Sequence, residues 1–203
     1  SPFVSSVGMP ETPAQLGYYY PAEWTPHAAT WISWPHNPAT WPGKIEPVPP
    51  IYAEFVRAVA PHEPVNILAG GAMVMRQARE LVGDVPNVTL FDIRTNDAWI
   101  RDYGPLFLAS RDGQPPAMVD FRYNAWGGKY PPFDLDDAAA AKINQTLGMK
   151  RFEPGIILEG GSIDVNGRGT LLTTENCLLN PNRNPHLSRE QIEKYLADYL
   201  AIR

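Results

Sequence analysis

Short apolar runs alternate along this chain with stretches whose apolar positions recur every third or fourth residue, a pattern that predicts strands and helices in turn. The first strand is Thr30–Trp34, TWISW, rich in aromatic and β-branched residues. A helix is expected near Pro50–Ala60, opened by prolines and carrying Ile51, Phe55 and Val59 on one stripe. Strand Val65–Ala69, helix Met73–Val82 and strand Val88–Ile93 follow. From Gly104 the pattern restarts: strand Pro105–Ala109, a turn at Arg111-Asp112-Gly113, strand Met118–Tyr123, helix Asp134–Leu147 and strand Ile156–Glu159. Asp134 and Asp137 stand where an N-cap and a first-turn charge belong. A further restart gives strand Ile163–Val165, a hairpin turn at Asn166-Gly167, strand Thr170–Thr174 and helix Ser188–Leu200. Ser188 and Gln191 form a capping box, and Ile192, Tyr195, Leu196, Tyr199 and Leu200 make an apolar stripe. Residues 1–25, with Pro2, Pro10, Pro13 and Pro21, read as an irregular arm.

A strand-strand-helix-strand unit is thus used at least twice, which argues for a repeated α/β architecture. The third copy stops after its helix, at Arg203. Residues 1–203 are therefore expected to be a fragment, or one half of a cut protein, whose last sheet edge and helix stripe need another polypeptide to cover them.

Composition narrows the function classes. With 203 residues, 44% hydrophobic and 19% charged, the chain can bury one sizeable core. A net charge of −5 argues against a nucleic-acid surface and mildly favours a small cationic ligand. Cys177 is the single cysteine, so an internal disulfide framework is excluded and a cytoplasmic setting expected. No apolar run approaches membrane-spanning length, and neither a secretion signal nor a membrane anchor is read in the chain.

The stretch Thr95–Pro105, TNDAWIRDYGP, gathers Asp97, Trp99, Arg101 and Asp102 between two predicted strands. Carboxylates there carry a desolvation penalty unless a cation meets them. The cation is either a ligand or Arg101, paired with Asp97 or Asp102. FRYNAWGGKYPPFDLDD sets Asn124 and Trp126 before Gly127-Gly128, LEGGSIDVNG sets Glu159 before Gly160-Gly161, and TTENCLLNPNRNP holds Cys177, Asn182 and Arg183. Strand ends that give way to Gly-Gly loops are usual places for ligand groups. Asp102 and Glu159 would together suit a guanidinium, a flat cation with donors on two sides, with Trp99 and Trp126 as aromatic faces. Bland alternatives stand beside this: Glu159 capped by the glycine amides that follow it, and Trp126 a large core hydrophobe. A metal hydrolase built on Asp97, Asp102 and Glu159 is a further alternative. Cys177 reads as a packed thiol, and His27, His36, His62 and His186 as loop or surface residues without metal spacing.

The runs Pro21-Ala22-Glu23-Trp24, Trp31–Pro35, NDAWIRDYGP, FRYNAWGGKYPP, LEGGSIDVNGRGTLLTTE and CLLNPNRNP, in this order over essentially the whole chain, strongly resemble the agmatine deiminases and their peptidylarginine deiminase relatives. The resemblance implies a pentein-type α/β propeller, here only its N-terminal part, so that residues 1–203 are an incomplete catalytic domain. It also implies hydrolysis of agmatine to N-carbamoylputrescine and ammonia through a covalent cysteine intermediate, without metal or organic cofactor. Asp102 and Glu159 match the acids that grip the substrate guanidinium, and Trp99 the tryptophan that walls the pocket; Asn124 and Trp126 lie in the loop assigned to substrate contact. The nucleophilic cysteine and the catalytic histidine of the family's pattern lie beyond residue 203, which makes the C-terminal remainder of the protein an expected partner. Homo-oligomerisation is left open. The rival readings are a peptidylarginine deiminase and a non-catalytic guanidine-binding module.

Overall fold

The computed structural model describes residues 11–203, so the expected arm up to Pro10 lies outside the described residues. Its remainder is not irregular throughout: β1 (Tyr18–Tyr19) pairs antiparallel with Ala109 and Ser110. Next come β2 (Thr30–Ser33), α1 (Val48–Val59), β3 (Val65–Leu68), α2 (Ala72–Val82) and β4 (Val88–Phe91). The three strands form a parallel sheet with β3 in the centre, Thr30 beside Val65 and Val65 beside Val88. A central strand buried on both faces reads as a mostly apolar run, and in β3 only the half-buried Asn66 interrupts it. Of the expected stripe of α1 only Val59 packs inward. Ile51 and Phe55 face outward, while Ala53, Val56 and Ala60 pack with Trp34, Ile67, Ala78 and Val82. The small alanines let α1 approach the sheet closely, and the larger residues do not.

After β4 the chain makes one helical turn, α3 (Ile100–Tyr103), where a bare loop was expected. Then follow β5 (Leu106–Ser110), β6 (Ala117–Val119), the turn α4 (Ala125–Gly128), α5 (Asp134–Asp137), α6 (Ala139–Leu147) and β7 (Lys150–Phe152). These build a mixed sheet of order β1-β5-β6-β7, with β5 and β6 antiparallel and β6 and β7 parallel. The single helix expected over 134–147 is broken at Ala138, and its N-cap is Phe133 with no side-chain cap; the acids of α5 are used elsewhere. Gly148 ends α6 in the left-handed conformation (φ 61°) and turns the chain into β7, a strand too short and polar to read from sequence. The expected strand 156–159 makes only an isolated bridge between Arg122 and Ile157, because the Asn184 side chain takes up both the N–H and the C=O of Ile157.

The last segment holds a 3-10 turn (Gly160–Ser162), β8 (Ile163–Val165), β9 (Leu171–Thr173), α7 (Glu175–Leu178) and α8 (Arg189–Leu200). β8 and β9 form an antiparallel hairpin. Both bonds of the Ser188–Gln191 capping box are made. The stripe of α8 is not left uncovered: Ile192, Leu196 and Leu200 are buried with Tyr18, Leu108, Val119, Phe121 and Ile163. A third cluster, with Leu68, Tyr103, Tyr123, Ala125 and Ile143, joins the two larger sheets and forms the floor under the candidate site. One complete strand-strand-helix-strand unit is present, β5-β6-α6-β7, and β8-β9-α8 repeats its first three elements; the region before it is βαβαβ.

Candidate active site

The loop before α3 is fixed from below. Tyr103, 2% exposed, donates its hydroxyl proton to the Asp97 carbonyl (2.7 Å) and meets Ser33 Oγ at 2.5 Å. The Asp97 carboxylate accepts from the Ala98 amide (2.7 Å) and the Thr40 hydroxyl (2.5 Å), so it serves its own loop. Among the described residues no group of three or more His, Cys, Asp or Glu is arranged to hold a metal ion. His36 lies in a loop, as one of its two expectations had it, half-buried with its ring spanning the carbonyls of Trp34 (3.0 Å) and Thr95 (3.1 Å), so that it straps this loop.

Arg101 pairs with Glu23, not with Asp97 or Asp102. Among the described residues Asp102 is thereby left without a salt-bridge partner, although the Arg101 charge still acts on it. Its Oδ1 accepts the Gly161 amide (3.1 Å) and its Oδ2 the Trp126 indole N–H (3.2 Å). Burial pushes its pKa up and the nearby Glu159 charge adds to this, against the pull of Trp126, Gly161 and Arg101.

Glu159 is 3% exposed. The glycine amides do not cap it, as one expectation had it; the Gly161 amide goes to Asp102 instead. Nor is Glu159 a bare acid waiting for a ligand. Arg183 donates Nε and Nη2 to its Oε1 (3.0 and 2.5 Å), and Nε also lies 3.2 Å from Oε2. Both side chains are nearly sealed, at 7% and 4% exposure. The group of Asp102, Glu159 and Arg183 so carries one net negative charge when ionised, a match for one cationic head. The Gly-Gly pair is dictated by closeness: a Cβ at Gly160 would stand 2.4 Å from the Arg101 carbonyl, and one at Gly161 2.2 Å from Asp102 Oδ1.

Trp126 enters from α4 with left-handed backbone (φ 58°) and meets Tyr123 and Tyr130 edge-on, at 5.6 and 5.8 Å. It offers Asp102 its N–H edge, not the face that the sequence suggested. Asn124 builds the loop: its Oδ1 accepts the Gly127 amide (2.8 Å) and its Nδ2 donates to the Asn182 carbonyl (3.0 Å). Asn182 in turn accepts from Arg183 Nη1 (2.7 Å), and a Cβ at Gly127 would stand 2.1 Å from its side chain. Trp99, 39% exposed, stacks on Trp41 with ring centroids 5.9 Å apart. Cys177 is half-buried on α7. Of the five residues proposed from sequence, the structure joins Asp102 to Trp126 and brings Glu159 near enough to raise the Asp102 pKa. Asn124 lies one wall away, holding the Trp126 loop. Arg183 and Trp41 were missed as site residues; the proline-flanked NPNRNP loop was the one signal for the former.

The profile of the Porphyromonas-type peptidyl-arginine deiminases matches residues 19–203. The chain belongs to this family. Within the Porphyromonas-type deiminases it is 45% identical over 196 residues to the agmatine deiminase of Ectopseudomonas mendocina, covering 94% of this chain and 52% of the relative. It is 44% identical to the agmatine deiminase of Stutzerimonas stutzeri over the same shares. The solved agmatine deiminase of Enterococcus faecalis superposes with a TM-score of 0.89 at 37% identity, covering 96% of this chain and 53% of that one. A C315S agmatine deiminase of C. jejuni with substrate bound gives 0.82 at 34% identity, covering 92% and 54%. The chain spans about half the length of the curated relatives it matches.

Proposed function

We propose that this chain carries the guanidinium-holding part of an agmatine deiminase, within a pentein-type α/β propeller to which it contributes the modules before the nucleophile. The observation that carries the reading is Asp102: a half-buried carboxylate without a salt-bridge partner among the described residues, oriented by Gly161 and Trp126 beside the ion pair of Glu159 and Arg183. A guanidinium brings N–H donors on two edges and can lie between Asp102 and the less occupied Oε2 of Glu159. Acids held there also stabilise the cationic species formed when a thiolate attacks the guanidino carbon and ammonia leaves. The thiolate, and the histidine that moves protons, are assigned by the family resemblance to residues other than these 203, and Cys177, half-buried on α7, is read as a packed thiol. Agmatine is favoured over peptidyl-arginine because Arg122, the arginine beside the Asn124 loop that could hold a substrate carboxylate or peptide backbone, is engaged with Asp137 through contacts of 2.9 and 2.5 Å. A cytoplasmic setting goes with the single cysteine.

The test is calorimetric titration with agmatine. Wild type binds, and Asp102→Asn loses on the order of 100-fold in affinity or, in the complete enzyme, in ammonia release. Near-normal binding or turnover by Asp102→Asn refutes the assignment. An arginyl peptide bound or turned over better than agmatine would favour the peptidylarginine deiminase reading.

A further inference from the structure

α5 carries three acids in four residues, DLDD, and two of them hold different site loops. Asp136 Oδ1 accepts the amides of Asn96 (2.7 Å) and Asp97 (3.3 Å). Asn96 returns the contact, its Oδ1 accepting from the amides of Leu135 (2.8 Å) and Asp136 (3.0 Å). The next residue, Asp137, accepts the Tyr123 amide (2.7 Å) and grips Arg122. Asn96 leads within six residues to Asp102, and Tyr123 within three to Trp126. The two arms meet again where the Trp126 indole reaches Asp102 Oδ2, so α5, both loops and that contact form a closed ring.

Asp136 is out of place as a purely structural residue. It is 2% exposed and has no salt bridge among the described residues. An asparagine would accept the same two amide protons without taking a charge into the interior. We propose that Asp136, clamped to Asn96, is a positioning residue that acts through the loop 96–102 on the Trp126–Asp102 contact. Groups of its own sign or charge-neutral hydroxyls face it on the packed elements: Asp97 from the loop, Asp134 on α5, Tyr103 from α3 and Tyr123 beyond β6. His36 holds the same loop one residue earlier, through the Thr95 carbonyl. Burial, against the pull of the Asn96 and Asp97 amides and with the Asp97 and Asp134 charges adding to it, pushes the Asp136 pKa up to about 7, so its charge changes near neutrality. When it ionises, its hold on the Asn96 and Asp97 amides tightens, since both bonds favour the charged form, while the Asp97 carboxylate opposes it, and the loop carries that change to Asp102.

The inference takes its importance from the proposed role of Asp102 but is tested without substrate. The indole N–H signal of Trp126, assigned with Trp126→Phe, is followed by 1H–15N NMR from pH 5 to pH 9 in this chain. In wild type it moves with a midpoint near 7. In Asp136→Asn that step disappears, while the signal keeps its hydrogen-bonded position and any step due to Asp102 itself remains. In Asp136→Ala the hydrogen-bonded position is lost. A wild-type signal flat across neutrality, or a step unchanged in Asp136→Asn, overturns the proposal. If the variants do not fold, 13C-carboxyl labelling of wild type decides: Asp136 and the Trp126 indole share one midpoint, or the proposal fails. Agmatine titration of the same wild-type sample separates the two readings. Absence of binding with the indole step intact sinks the function but not the clamp.

Discussion

Arg183→Met removes the guanidinium that meets Glu159 and leaves a carboxylate 3% exposed with no countercharge. Three N–H···O contacts of 2.5 to 3.2 Å are lost, and with them the Nη1 contact to Asn182. Breaking a buried pair by deleting one partner costs about 3–5 kcal/mol, because the remaining charge keeps its desolvation penalty. For a chain of this size that corresponds to a fall in Tm of roughly 6–20 °C. Urea unfolding followed by tryptophan fluorescence, with a thermal melt in parallel, measures it. The informative control is Arg183→Met combined with Glu159→Leu: replacing both charges by apolar groups of similar size is often neutral, so the double variant should recover most of the loss. A single variant that loses less than about 1 kcal/mol would mean that water or another cation meets Glu159, since such a loss is typical of exposed pairs. A double variant no better than the single would refute the argument from desolvation.

Gly161→Ala places a Cβ where Asp102 Oδ1 now stands, so overpacking should cost roughly 1–3 kcal/mol and displace the Trp126 indole N–H signal; a spectrum identical to wild type would contradict the geometry. Asp136 ionises at about 7 in the fold but near 4 when unfolded, so between those values the folded state holds the extra proton and stability falls as pH rises. The fall is on the order of 4 kcal/mol across that window, and comparing urea midpoints of wild type and Asp136→Asn at pH 4.5 and pH 8 isolates it from the other buried acids. Ser188→Ala removes one bond of the α8 capping box and should cost about 1 kcal/mol, read as a Tm drop of roughly 2–4 °C, with no change in the site signals.

The legible parts of the sequence were those whose signal is periodic and local. β3 is an apolar run interrupted only by Asn66, and α8 announces itself by its cap and stripe, so both stand within a residue of where they were expected. α3 is four residues long and has no room for a period, which hid the fact that Asp102 rides on a helical turn and not at a strand end. The outward stripe of α1 misled because periodicity reveals that a helix has two faces but not that Ala53 and Ala60 would permit the closer approach. Within the site, Asp102 and Glu159 stood out as acids beside loops of unusual composition. Trp126 and Arg183 were also singled out, but their pairings were not legible, because Arg183 lies 24 residues from Glu159 and Trp126 lies 24 from Asp102, and such meetings are decided by tertiary packing.

Asn182 touches Asn124, Arg183 and the space beside Gly127 at once, which makes it a spacer shared by two otherwise separate loops. In a library randomised at positions 124, 127, 182 and 183 and selected only for folding, these sites should not vary independently. A bulkier residue at 127 would survive only alongside a smaller one at 182, and the surviving pairs would map how far the two loops can be spread apart.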